Sequence, residues 1–80
     1  SAGDPERALE SWGEAIERFP SRVEHRLARA RLLLRLGRTN EAREDLLYIE
    51  RENVPVWEFE REPYNDLRVQ TGLEPVEFPE

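Results

Sequence analysis

The sequence predicts an all-α fold, an antiparallel helix-turn-helix repeat of the α-solenoid kind, closed by a short C-terminal capping helix. A pattern of one glycine, one alanine and one bulky apolar residue recurs after 34 residues. The paired positions are Gly3 and Gly37, Ala8 and Ala42, and Trp12 and Leu46. A period of this length is typical of helix-turn-helix repeats. Apolar residues also recur at helical spacing between glycine and proline breaks, and 80 residues suffice for a single domain, 1–80.

The first helix is predicted over residues 5–19. Asp4 suits the N-cap, and Pro5 fits the first helical position because its missing N–H would be unpaired there in any case. Pro20 ends the segment. The apolar residues of this helix fall on one narrow face, which another element must cover; they are Ala8, Trp12, Ala15, Ile16 and Phe19.

The second helix is predicted over residues 22–37. Ser21 and Glu24 have the spacing of a capping box at its start. Gly37 is expected to close it in the left-handed conformation. The apolar stripe of this helix consists of Val23, Leu27, Ala30 and Leu34.

The third helix is predicted over residues 40–53, and Pro55 forbids its continuation. Residues 54–62 are expected to be extended, because two prolines exclude one continuous helix and aromatic residues alternate with glutamates there. A short helix is predicted over about residues 63–71, and we expect it to cap the open end of the repeat.

These residues together resemble the tetratricopeptide repeat family. Its signature combines a small residue in the first helix of a repeat, a glycine at the turn, and small and bulky apolar residues down the second helix. The matching positions are Ala30, Gly37, Ala42, Leu46 and, in place of the last alanine, Ile49. Residues 3–20 resemble the second helix and closing proline of a preceding repeat, so the resemblance covers about residues 3–56. Arg26 and Arg29 depart from it, since the family usually has a bulky aromatic residue and a leucine there.

The resemblance implies a scaffold or adaptor that binds a protein or peptide in a groove lined by the first helices of successive repeats. The residues expected to face that groove are Glu24, Leu27, Arg31, Leu34 and Arg35. Arg31, Arg35 and Arg38 share one helical face, where guanidinium groups can bind the carboxylates of an acidic or C-terminal peptide. The alternative is a solvated basic stripe neutralised by glutamates of the same chain, such as Glu41 and Glu44.

Trp57 and Phe59 allow two interpretations. They can belong to a wrapped loop whose rings seal the end of the bundle, since small cores need aromatic area. They can instead anchor a partner or a second copy of the chain, because exposed aromatic residues are typical of interfaces. The second interpretation keeps open an alternative function as a self-association module, with Trp12 as a further contact.

Nothing in the sequence indicates catalysis, a cofactor or a metal site, and we do not expect this chain to be an enzyme. There is no cysteine, and His25 is the single histidine, interpreted as a surface residue on a helix. The series Glu58, Glu60 and Glu62 lacks the glycine turn and ligand spacing of a calcium loop. The four glycines are isolated, so no phosphate-binding loop is formed.

Charge limits the remaining functions. The net charge is −6, all 12 cations are arginine, and most of them lie in the first half of the chain while the acids dominate the second. This excess of acid argues against nucleic-acid binding, although the arginines of residues 22–38 leave it testable. The longest strictly apolar run is Leu32-Leu33-Leu34, too short to cross a membrane. The cytoplasm is our expectation for its location, with any targeting segment outside this sequence.

Overall fold

The computed structural model describes residues 3–79, and within that range the chain is helical and contains no strand. Four α-helices follow one another, and a single-turn 3₁₀ helix, Glu58–Glu60, immediately precedes the last. The α-helices are α1 (Pro5–Arg18), α2 (Val23–Arg35), α3 (Thr39–Arg51) and α4 (Arg61–Gln70). The predicted all-α fold class is confirmed.

Of the two N-terminal helix caps predicted from the sequence, the one on α1 is present and the one on α2 is absent. The carboxylate of Asp4 accepts hydrogen bonds from the backbone N–H groups of Glu6 and Arg7, and Pro5 occupies the first helical position. The prediction of a capping box from Ser21 and Glu24 is wrong. Helix α2 begins one residue later than that box requires, with Arg22 at the N-cap and no side-chain cap.

Three helix ends share one closing geometry, and a residue with positive φ follows each last turn. These residues are Gly37 at φ 77°, Asn53 at φ 56° and Gly72 at φ 88°. After α2, for example, the N–H of Arg38 donates to the carbonyl of Leu33 at 2.8 Å, and equivalent bonds close α3 and α4. This is the Schellman motif, which pairs carbonyls that would otherwise end the helix without a partner.

The segment predicted as extended through residue 62 is irregular only as far as Trp57. Residues from Glu58 onward are helical, first as the 3₁₀ turn and then as α4. Pro63 does not prevent this, because it lies in the first turn of α4, where a backbone N–H has no helical acceptor.

Helix α2 is the centre of the molecule, since it packs against α1, α3 and α4. The buried core is drawn from α2, α3 and α4, and it consists of Val23, Leu27, Ala30, Leu33, Ala42, Leu46, Ile49, Tyr64 and Leu67. Ala30 and Ala42 are completely buried, and such small side chains let the α2 and α3 backbones approach each other closely. Leu9 of α1 packs against the edge of this core.

A buried ion triad joins α2 to α3 at the two positions that depart from the family pattern. Asp45 of α3 is 2% exposed, and its carboxylate accepts hydrogen bonds from Arg29 Nε at 2.8 Å and from Arg26 Nη1 at 3.1 Å. The guanidinium of Arg26 also lies over the ring of Tyr48, 3.5 Å from its centroid. Polar pairing therefore replaces the apolar contact that the family usually makes at this interface.

The segment after α4 folds back along that helix. Leu73, Val76 and Phe78 pack against the core, and the side chain of Asn65 exchanges two hydrogen bonds with the backbone of Val76. The N–H of Val76 donates at 2.7 Å, and its carbonyl accepts at 2.9 Å. Arg68 adds a bond to the carbonyl of Glu74. The C-terminal segment thus covers apolar surface at the end of the repeat.

Candidate functional site

A groove runs between α2 and α4. We call it the α2–α4 groove; its volume is about 660 Å³. It is lined by Arg31, Leu34, Arg35, Pro63, Asp66, Leu67 and Gln70. The lining combines an apolar floor with two cations from one side and one carboxylate from the other.

A second cavity of about 440 Å³ lies on the other side of α2, against α1. We call it the α1–α2 cleft. Ala8 and Trp12 line it from α1, and Ala28 and Leu32 line it from α2. Arg31 and Arg35 line this cleft as well as the groove, so they form a ridge between the two cavities.

Arg31 and Arg35 are available for binding. Both are exposed, and they lie one helical turn apart on α2. Neither has a salt bridge to any group within residues 3–79. Two guanidinium groups at this spacing can contact neighbouring carboxylates of one extended ligand.

Three residues expected in the groove lie elsewhere. Glu24 lines a depression between the start of α2 and the loop after α3 and does not line the groove. Leu27 is buried in the core that joins α2 to α3, so its side chain is not accessible to a ligand. Arg38 contacts Glu41 through two hydrogen bonds of 2.8 Å, and it reaches Glu6 at 3.3 Å. These bonds from Arg38 also hold the pKa of Glu41 below its usual range. The Schellman turn at Gly37 directs the chain out of α2, which removes Arg38 from the face that Arg31 and Arg35 share.

Arg38 is therefore neutralised by a glutamate of the same chain, Glu41. Arg31 and Arg35 are exposed and have no such partner within residues 3–79. Leu34, the remaining expected residue of α2, is partly buried and lines the groove.

The aromatic rings between α3 and α4 do not seal the bundle. Trp57 is 60% exposed and Phe59 is 79% exposed. The rings that cover this end are Tyr64, which is buried, and Phe78, whose centroid lies 6.1 Å from that of Tyr64. The sequence interpretation missed Phe78, although its alternation with Val76 was a visible signal of a half-buried segment.

His25 is partly buried, contrary to its interpretation as a surface residue. Its ring lies 5.9 Å from that of Trp12 and 6.3 Å from that of Phe19, so it forms part of an aromatic cluster between α1 and α2. Within residues 3–79 there is no group of three or more histidine, cysteine, aspartate or glutamate side chains placed to hold a metal ion.

Paired helices around an exposed groove define a helical-repeat protein. The family model described as tetratricopeptide repeat matches residues 1–55, more than half of the chain. The chain belongs to that family, whose repeats generally mediate protein–protein interaction. Searches of curated proteins and of solved structures found no match. Across the part of the chain that the structure describes, no helix combines the length and the apolar character that a membrane crossing requires.

Proposed function

We propose that this chain is an adaptor module that binds an acidic peptide segment of a partner protein in the α2–α4 groove. The observation that carries the proposal is the pair Arg31 and Arg35, exposed, one turn apart and without an ion pair among residues 3–79. Unpaired guanidinium groups beside a cavity favour carboxylate ligands.

The rest of the groove supports a peptide of mixed character. Leu34 and Pro63, which are both partly exposed, supply apolar surface for a hydrophobic side chain next to the carboxylates. Asp66 and Gln70 on the α4 wall provide acceptors, and Gln70 also provides a donor, for the backbone of an extended ligand. Leu27, Arg38, Trp57 and Phe59 are not assigned to this site.

The first test is a calorimetric titration of the whole chain with a short peptide of alternating glutamate and leucine that ends in a free carboxylate. The variant Arg31→Glu/Arg35→Glu is compared with the native chain. Each lost charge-assisted bond is worth about 1.5–3 kcal/mol, so we expect the Kd to rise at least about tenfold.

The matched control is Arg7→Glu/Arg18→Glu, which reverses the charge of two exposed arginines on α1 that also have no salt bridge among residues 3–79. Its Kd should stay within about threefold of the native value, apart from a general charge effect. Equal losses of peptide affinity in both variants would show that the groove is not the binding site. Affinity capture from a lysate with the same two variants then identifies the natural partner.

The α1–α2 cleft favours a second candidate, self-association. Trp12 lines that cleft, and two large apolar residues are exposed at the C-caps of the same two helices, Phe19 after α1 and Leu36 after α2. A second copy that covers this surface would make the mass depend on concentration. Sedimentation of the native chain and of Trp12→Ala measures the mass as a function of protein concentration. A native chain that is monomeric at all concentrations rules this candidate out.

A further inference from the structure

The turn between α3 and α4 carries an exposed aromatic surface that the groove does not use. Trp57 and Phe59 are both mostly exposed, although folding normally removes such large rings from water. Trp57 is the last irregular residue before the 3₁₀ helix, and Phe59 lies two residues later, within that helix. We call this surface, with the neighbouring Glu24, Glu58 and Glu62, the aromatic tip.

The aromatic tip has a depression beside it that can take a side chain. Its volume is about 360 Å³, and it lies between the start of α2 and the loop after α3. The lining residues are Ser21, Arg22, Glu24, Pro55 and Trp57. An aromatic ring on one wall and a carboxylate on another suit a long cationic side chain, which a ring face and an acid both attract.

The carboxylates around the tip are not neutralised. Glu24, Glu58 and Glu62 are exposed, and none of them has a salt bridge within residues 3–79. Two arginines that are close to these glutamates in sequence contact rings instead. Arg22 lies over Phe19 at 5.4 Å, and Arg61 lies over another ring, that of Phe78, at 4.9 Å.

Glu60 is a second, independent observation of a carboxylate without a partner, and it lies close to Glu24. It is 7% exposed, and its Oε1 is buried without a hydrogen-bond partner among the described residues. Burial, together with the nearby charge of Glu24, raises the pKa of Glu60. A cation brought close to Glu24 would reduce the repulsion between these two carboxylates.

We propose that the aromatic tip is a second docking surface, which binds an arginine- or lysine-containing segment of a partner protein. One cationic side chain enters the depression between the ring of Trp57 and the carboxylate of Glu24. A neighbouring cation of the same segment lies over Phe59 and near Glu58 or Glu62. The surface is opposite in charge to the Arg31 and Arg35 ridge, so the two sites select different segments.

The location of binding is tested by NMR on the whole chain labelled with ¹⁵N. The chain has two tryptophans, and their indole N–H groups report on separate places, Trp57 at the tip and Trp12 in the α1–α2 cleft. The probe is a short peptide of alternating arginine and glycine. We expect the Trp57 signal to shift until it saturates while the Trp12 signal stays in place.

Affinity is measured by calorimetry with the same peptide on four variants. Trp57→Ala/Phe59→Ala should weaken binding about tenfold, because two cation–π contacts and their apolar area are lost. Trp57→Phe keeps a ring and should stay within about threefold of the native Kd. Glu58→Gln/Glu62→Gln should weaken binding severalfold, whereas the control Glu10→Gln/Glu14→Gln, which removes two exposed carboxylates of α1, should have little effect.

Three results would overturn the proposal. The first is a Trp57 signal that does not shift or does not saturate. The second is an equal loss of affinity in the two glutamine pairs, which would mean diffuse attraction to the net charge of −6. The third is a shift of the Trp57 signal with protein concentration and a rise in mass without any peptide, which would make a second copy the occupant. Far-UV circular dichroism of each variant verifies that the helices are retained.

Discussion

Removal of the carboxylate of Asp45 is the most informative test of how α2 and α3 are held together. In Asp45→Ala two guanidinium groups lose their shared acceptor. The side chain of Arg26 is only 11% exposed and lies over Tyr48, so it cannot easily turn to water. Arg29 is 28% exposed and can reach solvent or Glu41, whose charge already acts on it.

The expected loss in the free energy of unfolding follows from the exposure of the two arginine side chains. Breaking a buried ion pair by removing one partner typically costs about 3–5 kcal/mol. Because Arg29 keeps access to water, we expect about 2–4 kcal/mol here. In a domain of this size each 1 kcal/mol of lost stability lowers Tm by about 4–8 °C, so the loss would lower Tm by roughly 8–32 °C.

Urea unfolding followed by far-UV circular dichroism measures the loss, with an unchanged m-value as the sign that both chains unfold from the same folded state. The control is Glu41→Ala on the same helix, which removes an exposed partner of Arg38 and should leave the free energy of unfolding nearly unchanged. A free energy of unfolding for Asp45→Ala within about 1 kcal/mol of the native value would refute the reasoning.

A triple variant separates the pairing from the packing. Arg26→Leu/Arg29→Leu/Asp45→Leu replaces all three charges with apolar side chains. Apolar groups often pack in place of a buried ion network at no loss, so we expect the triple variant to be at least as stable as the native chain. A triple variant as unstable as Asp45→Ala would assign the cost to lost shape complementarity instead of to unpaired charge.

Three further predictions concern single residues. Asn65→Ala removes both bonds to the backbone of Val76 and should cost about 1–2 kcal/mol; loss of hydrogen-exchange protection at the Val76 amide checks it, and unchanged protection would contradict it. Glu60→Gln should raise the free energy of unfolding at neutral pH, because burial of Glu60, and after it the nearby charge of Glu24, disfavours the charged carboxylate in the folded state and so raises its pKa. The gain should fade as pH falls through that raised pKa to below the ordinary value of 4.5, since the protonated side chain carries no such penalty, and a gain independent of pH would disprove the cause. Asn53→Val should cost about 1–2 kcal/mol because of the positive φ, while Asn53→Gly should cost nothing; equal melting temperatures for the two would reject the argument.

The repeat and its helices were predictable because they depend on local chemistry. Asp4 and Pro5 start α1, and Gly37 and Gly72 supply the positive φ that closes α2 and α4. A 34-residue recurrence of small and bulky residues is enough to identify paired helices. The start of α4 was misplaced, because a proline in the first turn of a helix and a proline before a helix give the same sequence signal.

The candidate site was predictable only in part. Arg31, Leu34 and Arg35 line the groove as their spacing on α2 indicated, although their binding role stays a proposal. Leu27 and Arg38 carry the same helical spacing but lie in the core and beside Glu41. Periodicity places residues on a face of one helix, but it does not say which neighbouring helix covers that face.

By itself, the sequence determined that this protein is a helical repeat and that its cations concentrate in the first half of the chain. Only the tertiary structure decided which charges are paired. Arg26 and Arg29 share the buried Asp45, 19 and 16 residues away, whereas Arg31 and Arg35 stay without an ion pair within residues 3–79. Pairing across helices depends on distances of a few ångströms between residues far apart in the chain, and local sequence patterns carry no information about such distances.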